Sequence, residues 1–356
     1  MLPLKVLFAF TAASALVACG GGGGDSPAPS PPAPVPGPAP APGPSVGTNG
    51  TLQTSVAAAT YNDARRLDAF NQLNAVRLGA GAGLLAQSSE LDVSASSHAK
   101  YLTDNGFDPS ISAHAETSGL PDYTGANPFT RMQAAGYSYS YATEVIGDIG
   151  STSATSDCVG DLLDTVYHAV SMLSRVTDVG FGYGAGAAAG MCTIDMASPL
   201  SGGAAKQIPP SGAVVAYPSN GSTVAHGTFH VSNESPRVSA ALLPNATAGT
   251  PILVGFRNQD LVAGGVATVT QLTLATSTGA TVPSIIVADS VIQGSGLNPD
   301  SELSDQPSSP GSGSRFAVLV PVAPLPAGTY TVTLRATISG GQALALTTWS
   351  FTVAAL

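Results

Sequence analysis

Two histidines and two glutamates are the residues of this sequence whose types and spacing favour chemistry. His114 and Glu116 are separated by one alanine, Glu144 lies within an apolar run, and His168 follows further along the chain. Only 10% of the residues are charged, and the chain contains five histidines. Imidazole and carboxylate groups together suit a divalent metal ion or an acid–base pair. We therefore predict that the segment from His114 to His168 contains the functional site.

The pattern leaves alternatives open for each of these residues. In a strand, residues two apart point the same way, so His114 and Glu116 could face one cleft. Their H-x-E pattern is not the H-E-x-x-H of zinc proteases. Burying Glu144 without a partner would be costly, so a solvent-facing position on a strand edge is its alternative.

The other three histidines are predicted to be structural or superficial. His98 lies at the edge of an apolar helical stripe, which favours a packed or half-exposed structural histidine over a ligand. His226 and His230, four residues apart in or near a strand, are interpreted as a surface pair more readily than as a metal site.

The N-terminal residues predict export and lipid anchoring. Lys5 precedes an apolar run, Val6 to Leu16, which has the length of a signal sequence and is too short to span a membrane. The run leads to Leu16-Val17-Ala18-Cys19-Gly20, which resembles a bacterial lipobox. Residues 1–19 are therefore predicted to be a lipoprotein signal peptide, with Cys19 as the lipidated residue. The alternative is an ordinary secretory cleavage site.

The composition divides the rest of the chain. Residues 20–59, rich in Gly, Pro and Ala, are predicted to form an extended tether. The remaining length predicts two domains, at 60–200 and 208–356. The net charge of −10 argues against nucleic acid as a partner. With Cys19 assigned to lipid, Cys158 and Cys192 are candidates for a disulfide.

Hydrophobic periodicity predicts a helical first domain with a short sheet. Helices are expected over 62–77, from Ser88 or Ser89 to Asn105, over 128–136 after an Asn127 cap, and over 157–173. A strand carrying Glu144 precedes the last of these helices. A hairpin of 179–183 and 191–196 follows it.

This order of elements, with the residues that it carries, resembles the CAP superfamily, which includes the cysteine-rich secretory proteins and the plant pathogenesis-related proteins. The resemblance covers about residues 64–198. It is carried by Leu73-Asn74-x-x-Arg77, His98-Ala99-x-Tyr101, His114, Arg131-x-x-x-Ala135-Gly136-Tyr137, Glu144, His168 and Val179-Gly180-Phe181-Gly182. It implies a three-layer α-β-α sandwich whose cleft binds a divalent metal ion, such as zinc, in several members.

The resemblance also implies roles for particular residues. His114 matches the first histidine of the family's cleft, Glu144 matches the glutamate of its Gly-Glu-Asn-Ile strand, and His168 matches its second histidine. The family's second glutamate has no obvious counterpart here. Glu116, more plausibly than Asp164, is the residue expected to substitute for it.

The second domain is predicted to be an antiparallel β-sandwich. Short β-branched stretches alternate with Gly- and Pro-rich turns, and the chain's ending resembles bacterial Ig-like modules. The predicted strands are 214–217, 228–231, 251–256, 269–276, 284–288, 316–321, 328–338 and 347–353. Trp349 is expected in the core, and residues 294–314 are expected to form a long loop. No catalytic constellation is found in this domain.

Three functions remain open at this stage. The first is a lipid-anchored cell-envelope protein, facing the periplasm or the exterior, that binds a divalent metal and an envelope or extracellular ligand. The second is a metal-assisted or His/Glu acid–base hydrolase of peptide or cell-wall glycan, although no serine lies in a G-x-S-x-G motif. The third is a structural surface module without metal.

Overall fold

A computed structural model describes residues 51–108, 110–148, 157–200, 207–234, 236–257, 267–303, 314–338 and 344–355. The predicted signal peptide, Cys19 and the tether up to residue 50 lie outside these residues. The described residues belong to one compact unit, Ala41–Leu356.

The first two helices are bounded by capping residues; the second has its predicted bounds, whereas the first is shifted from the predicted 62–77. Helix α1 spans Ala64–Ala80, with Asp63 as its N-cap and Gly81 in the left-handed conformation at its end. Helix α2 spans Ser89–Asn105, and the side chain of Ser88 caps its first turn. Side-chain oxygens at these positions accept from N–H groups that have no partner within the helix.

The third predicted helix is confirmed, whereas the fourth is wrong as a single element. Helix α3 spans Pro128–Ala134 and is capped by Asn127. The segment predicted as one helix forms two, α4 at Cys158–Leu163 and α5 at Tyr167–Met172. At the break, the hydroxyl of Thr165 donates to the carbonyl oxygen of Leu162 at 2.7 Å. Such a local bond competes with the regular helical pattern.

Four strands form the sheet between the helices. They are β1 (Ala86–Gln87), β2 (Tyr139–Gly147), β3 (Asp178–Tyr183) and β4 (Cys192–Pro199), in the spatial order β1-β3-β4-β2. Strand β4 pairs antiparallel with both β2 and β3, as the predicted hairpin requires. Helices α2 and α3 pack on one face, while α1, α4 and α5 belong to the core on the other. The predicted α-β-α sandwich is confirmed.

Alternating glycines in β3 allow α2 to approach the sheet. A Cβ atom on Gly180 would lie 2.2 Å from the backbone nitrogen of Asp92 in α2, and one on Gly182 would lie 2.2 Å from the carbonyl oxygen of Ala95. Phe181, between them, points to the opposite face and is fully buried. Close packing of backbone on backbone therefore requires glycine at both positions.

The second half of the chain is the predicted β-sandwich. Its strands are β5 (Val214–Tyr217), β6 (Thr223–Val224), β7 (Phe229–His230), β8 (Thr247–Ala248), β9 (Ile252–Arg257), β10 (Ala267–Thr276), β11 (Ser284–Ala288), β12 (Ile292–Gly294), β13 (Leu297–Pro299), β14 (Ser314–Pro321), β15 (Gly328–Thr337) and β16 (Thr348–Val353). Two five-stranded sheets, β12-β10-β15-β16-β6 and β13-β11-β14-β9-β5, carry the core. Their other pairs are antiparallel, as predicted, whereas β12, β13 and β6 each pair parallel with a neighbouring strand. Trp349 is buried there, as predicted.

Two predictions for this half need correction. The expected loop over 294–314 includes strand β13 and a short 3-10 turn at Ser301–Leu303, while residues 304–313 lie outside the described part of the chain. His226 precedes the two-residue strand β7 and His230 ends it, so they do not share one strand face.

The two halves pack against each other, and the segment that begins at Thr51 contacts both of them. Their buried side chains form one contiguous cluster. Thr51 pairs with Ile208 in an antiparallel bridge, and the side chain of Gln53 donates to the carbonyl oxygens of Leu84 and Thr177. The predicted tether, 20–59, therefore does not extend through 51–59. Among the described residues, no helix has the length and apolar character needed to cross a membrane.

Candidate functional site

The centre of the site is a pair formed by His114 and Glu144. His114 lies in the loop between α2 and α3, and its Nδ1 is 2.8 Å from Oε1 of Glu144 in strand β2. The Glu144 side chain is fully buried, whereas that of His114 is 32% exposed. The predicted alternative of a solvent-facing Glu144 is therefore wrong. A buried acid orients a histidine that reaches the surface.

Arg131 compensates the buried charge of Glu144. Helix α3 holds its guanidinium so that Nη2 lies 2.8 Å from each oxygen of Glu144. Its Nη1 donates to the carbonyl oxygen of His114 at 3.0 Å. One arginine therefore fixes both the carboxylate and the backbone of the histidine that the carboxylate orients. Arg131 appeared in the sequence only as part of the family pattern.

The electrostatics keep Glu144 ionised. Burial alone would raise its pKa, but the hydrogen bond from His114 and the electrostatic effects of His98, Arg131 and His114 outweigh burial and lower the pKa to about 2.

His168 lies in the first turn of α5, just after the break between α4 and α5. Its Nδ1 lies 3.0 Å from the hydroxyl of Thr165, and its side chain is 13% exposed. Burial, followed by the electrostatic effect of His114, lowers the pKa of His168 to about 4. The imidazole is therefore neutral at neutral pH.

The imidazole rings of His114 and His168 are held through the same nitrogen atom, Nδ1. Each uses Nδ1 towards an oxygen atom of the protein. Within the described ranges, neither Nε2 atom has a hydrogen-bond partner. Metal-binding histidines commonly engage one ring nitrogen with a protein oxygen and leave the other for the ion. Each ring therefore has one nitrogen atom engaged by the protein and one that is not.

Glu116 occupies a different place from the one predicted. Its Oε1 is 2.9 Å from Nδ1 of His98, and its Oε2 accepts from the backbone nitrogens of Thr124 and Gly125. Both side chains of the His98–Glu116 pair are fully buried. His98 is thus the structural histidine that was predicted, and Glu116 holds the loop rather than facing the two rings. This corrects its expected role as a ligand.

No larger ligand cluster accompanies the two histidines. In the part of the chain that the structure describes, no group of three or more His, Cys, Asp or Glu side chains is arranged to hold a metal ion. Glu144, the other predicted carboxylate ligand, has its oxygens engaged by Arg131 and His114. A closed set of four protein ligands, His114, Glu116, Glu144 and His168, is therefore not formed.

Asp195 is a buried acid of the site that the sequence analysis missed. It faces Glu144 across the β2–β4 pairing and is completely buried. Its polar neighbours are the side chains of Ser94 and Glu144, but neither carboxyl oxygen forms a well-aligned hydrogen bond with a described residue. Burial and the charge of Glu144 raise the pKa of Asp195 well above its usual range. An acid in the apolar return strand is the same signal that identified Glu144, so it could have been found.

Asp164, the other candidate for the second carboxylate, is not part of the His114–Glu144 pair. Asp164 accepts a hydrogen bond from Thr250 at 3.3 Å and lines a separate cavity of about 420 Å³, together with His226 and His230.

The disulfide predicted from the cysteine count is present. Cys158 at the start of α4 is joined to Cys192 at the start of β4, with their Cα atoms 6.4 Å apart. It links the helix that precedes His168 to the sheet that carries Glu144.

Comparison with known families now identifies the first domain. Residues 70–195 match the family model described as "CAP: Cysteine-rich secretory protein family". This segment is a CAP domain. The match includes all the residues of the site described above on the first domain, from His98 to Asp195. CAP proteins are generally secreted or extracellular, and the disulfide agrees with an oxidising compartment.

Other comparisons give weaker similarities. No curated protein matches the chain. The crystal structure of PcoC, a methionine-rich copper resistance protein from Escherichia coli, is 20% identical, with a TM-score of 0.20, over 39% of this chain and 93% of PcoC. A DUF4426-family protein from Pseudomonas aeruginosa is 17% identical, with a TM-score of 0.19, over 36% of this chain and 82% of its own. TM-scores this low support no inference about the present chain.

Proposed function

We propose that this is an exported, lipid-anchored envelope protein whose CAP domain binds a divalent metal ion, such as zinc, through His114 and His168, and through that ion an envelope or extracellular ligand. The observation that carries the proposal is the shared arrangement of the two imidazoles. Each is fixed through Nδ1, and each leaves Nε2 unpartnered within the described residues.

The protein's own groups would prepare this site in two ways. Glu144, held by Arg131, fixes the ring orientation of His114 and makes it a better electron donor. Burial keeps His168 neutral, which is the protonation state that a metal ligand needs. A bound ion would supply open coordination positions for an oxygen atom of a ligand.

A zinc titration of the purified full-length protein tests the proposal. At a free zinc concentration of about 100 times Kd, binding should add roughly 2.7 kcal/mol to the free energy of unfolding. This corresponds to a rise in Tm of roughly 5–10 °C for a domain of this size. His114→Ala and His168→Ala should each lose the rise, whereas the control His230→Ala, an exposed histidine outside the site, should keep it. A rise that survives both site variants rejects the proposed metal site.

Lipid anchoring has its own test. Cys19 follows a short apolar run at a lipobox-like sequence, and an acylated cysteine would anchor the domains to a membrane. Cys19→Ser should release the protein from the membrane fraction into the soluble fraction. Unchanged fractionation would show that the anchor is not at this cysteine.

The His114–Glu144 pair also favours a second candidate, a hydrolase of peptide or cell-wall glycan. A carboxylate that orients an imidazole is the arrangement of a general base, and Asp195 lies buried beside it as an acid. Turnover of such substrates that is lost in His114→Ala would favour this function. Zinc binding without turnover would favour the binding module.

A further inference from the structure

The helix that carries His168 has no cap of its own. Helix α5 begins after Val166, whose side chain cannot accept a hydrogen bond, and no side chain of the CAP domain caps it. The break at Asp164–Val166 separates α5 from α4, so its first backbone N–H groups need partners from elsewhere.

Glu234 of the β-sandwich supplies these partners. It follows a 3-10 turn at Val231–Asn233 and is only 2% exposed. Its Oε2 accepts from the backbone nitrogen of Val166 at 3.1 Å, and its Oε1 accepts from those of Tyr167 and His168, the latter at 3.3 Å. One carboxylate, distant in sequence, thus satisfies three N–H groups at the start of α5.

The same carboxylate also lies beside the imidazole. Oε1 of Glu234 is 3.8 Å from Nδ1 of His168, on the side of the ring away from the free Nε2. The carboxylate that caps the start of α5 is therefore also a neighbour of the His168 ring.

A second contact fixes the same turn. The hydroxyl of Tyr167 donates to Oδ2 of Asp300, which also belongs to the β-sandwich, at 2.6 Å. The residue before His168 is therefore bound to the second domain through both its backbone and its side chain.

We propose that Glu234 is a positioning residue for His168, so that the β-sandwich sets the orientation of the second histidine of the CAP site. The second domain is then part of the site's construction and not only a spacer. The expected effect of Glu234 on zinc affinity rests on the proposed function. The positioning of His168 can be measured without metal.

The test compares Glu234→Ala, Glu234→Gln and the control Glu302→Ala in the full-length protein. Glutamine keeps one acceptor oxygen, which can serve the N–H groups of Tyr167 and His168, whereas its NH2 group cannot accept from Val166. Alanine removes both acceptors. Glu302 is an exposed acid of the same domain, and its removal changes the charge equally. Fluorescence of Trp349, the only tryptophan, checks that the sandwich is folded in each variant.

The first measurement is amide hydrogen exchange of a peptide that covers residues 166–168, without metal. Exchange there should be fastest in Glu234→Ala, intermediate in Glu234→Gln, which keeps one of the two acceptor oxygens, and close to wild type in Glu302→Ala. Unchanged exchange in folded Glu234→Ala would overturn the positioning role. If Glu234→Ala does not fold, Glu234→Asp replaces it in the test. Its shorter side chain should give partial loss of protection from exchange. Wild-type protection in Glu234→Asp would overturn the positioning role.

The second measurement is the affinity for zinc. Glu234→Ala should bind zinc about 10- to 100-fold more weakly than wild type, as is usual when the partner of a metal-binding histidine is removed. Glu234→Gln should stay within a few-fold of wild type. Wild-type affinity in Glu234→Ala would reject the link to binding while leaving the metal site intact. No zinc binding by the wild-type protein would reject the proposed function, and the exchange result would still decide the role of Glu234.

Discussion

Replacement of Arg131 by methionine should strongly destabilise the CAP domain. Arg131 is 1% exposed and is bonded to both oxygens of Glu144 at 2.8 Å. Its removal leaves a fully buried carboxylate with only the hydrogen bond from His114. Loss of one partner from a buried pair typically costs about 3–5 kcal/mol. We expect Arg131→Met to lower the free energy of unfolding by that amount.

Urea unfolding followed by circular dichroism at the helical band measures this loss. All the α-helices that the structure describes lie between residues 64 and 172, so the helical signal reports on the CAP domain. The control Arg335→Met removes an exposed arginine from the sandwich and should change stability by less than about 0.5 kcal/mol.

A double variant separates the charge pair from packing. Removal of Arg131 and Glu144 together, each replaced by methionine, should cost less than the sum of the two single changes, with a coupling of about 1–3 kcal/mol. A loss below about 1 kcal/mol in Arg131→Met, or strictly additive losses, would refute the reasoning that Arg131 compensates Glu144.

Three further predictions concern the framework of the molecule. Burial raises the pKa of Asp164 from 3.8 to about 8, so the folded state holds the proton more tightly and stability falls as the pH rises through this range. The stability of Asp164→Asn relative to wild type should therefore rise as the pH goes from 4 to 8, by at most about 6 kcal/mol. A difference between their urea midpoints that does not depend on pH would contradict this. Reduction of the Cys158–Cys192 bond opens a loop of sequence separation 34, which should cost about 3–4 kcal/mol, and neither thiol should label without reductant. Gly180→Ala should lower Tm because its Cβ would meet the backbone of Leu91 at 2.2 Å, and an unchanged Tm would show that α2 can move away.

Local signals in the sequence predicted much of the fold. The helix boundaries at Ser88 and Asn127 follow from side-chain caps, which depend on a few neighbouring residues. The strand with Glu144 and the hairpin that follows were predicted from their apolar patterns. The break at Thr165 was missed because the apolar stripe continues through it.

The sequence predicted which residues belong to the candidate site better than it predicted which partners they contact. His114, Glu144 and His168 were identified by type and by the family resemblance, and the structure joins His114 to Glu144. Glu116 was assigned wrongly because a spacing of two residues does not show which partner a carboxylate meets, and here the partner is His98. Nothing near Glu234 in the sequence indicates that it caps a helix of another domain.

X-ray absorption by zinc bound to the full-length protein tests the central claim most directly. If His114 and His168 bind the ion, two imidazole nitrogens should lie about 2.0–2.1 Å from the zinc, with oxygen atoms in the remaining coordination positions. One imidazole should be lost in His114→Ala and one in His168→Ala, and both should be retained in His230→Ala. A ligand set without these two imidazoles, or one that is unchanged in both site variants, would contradict the account.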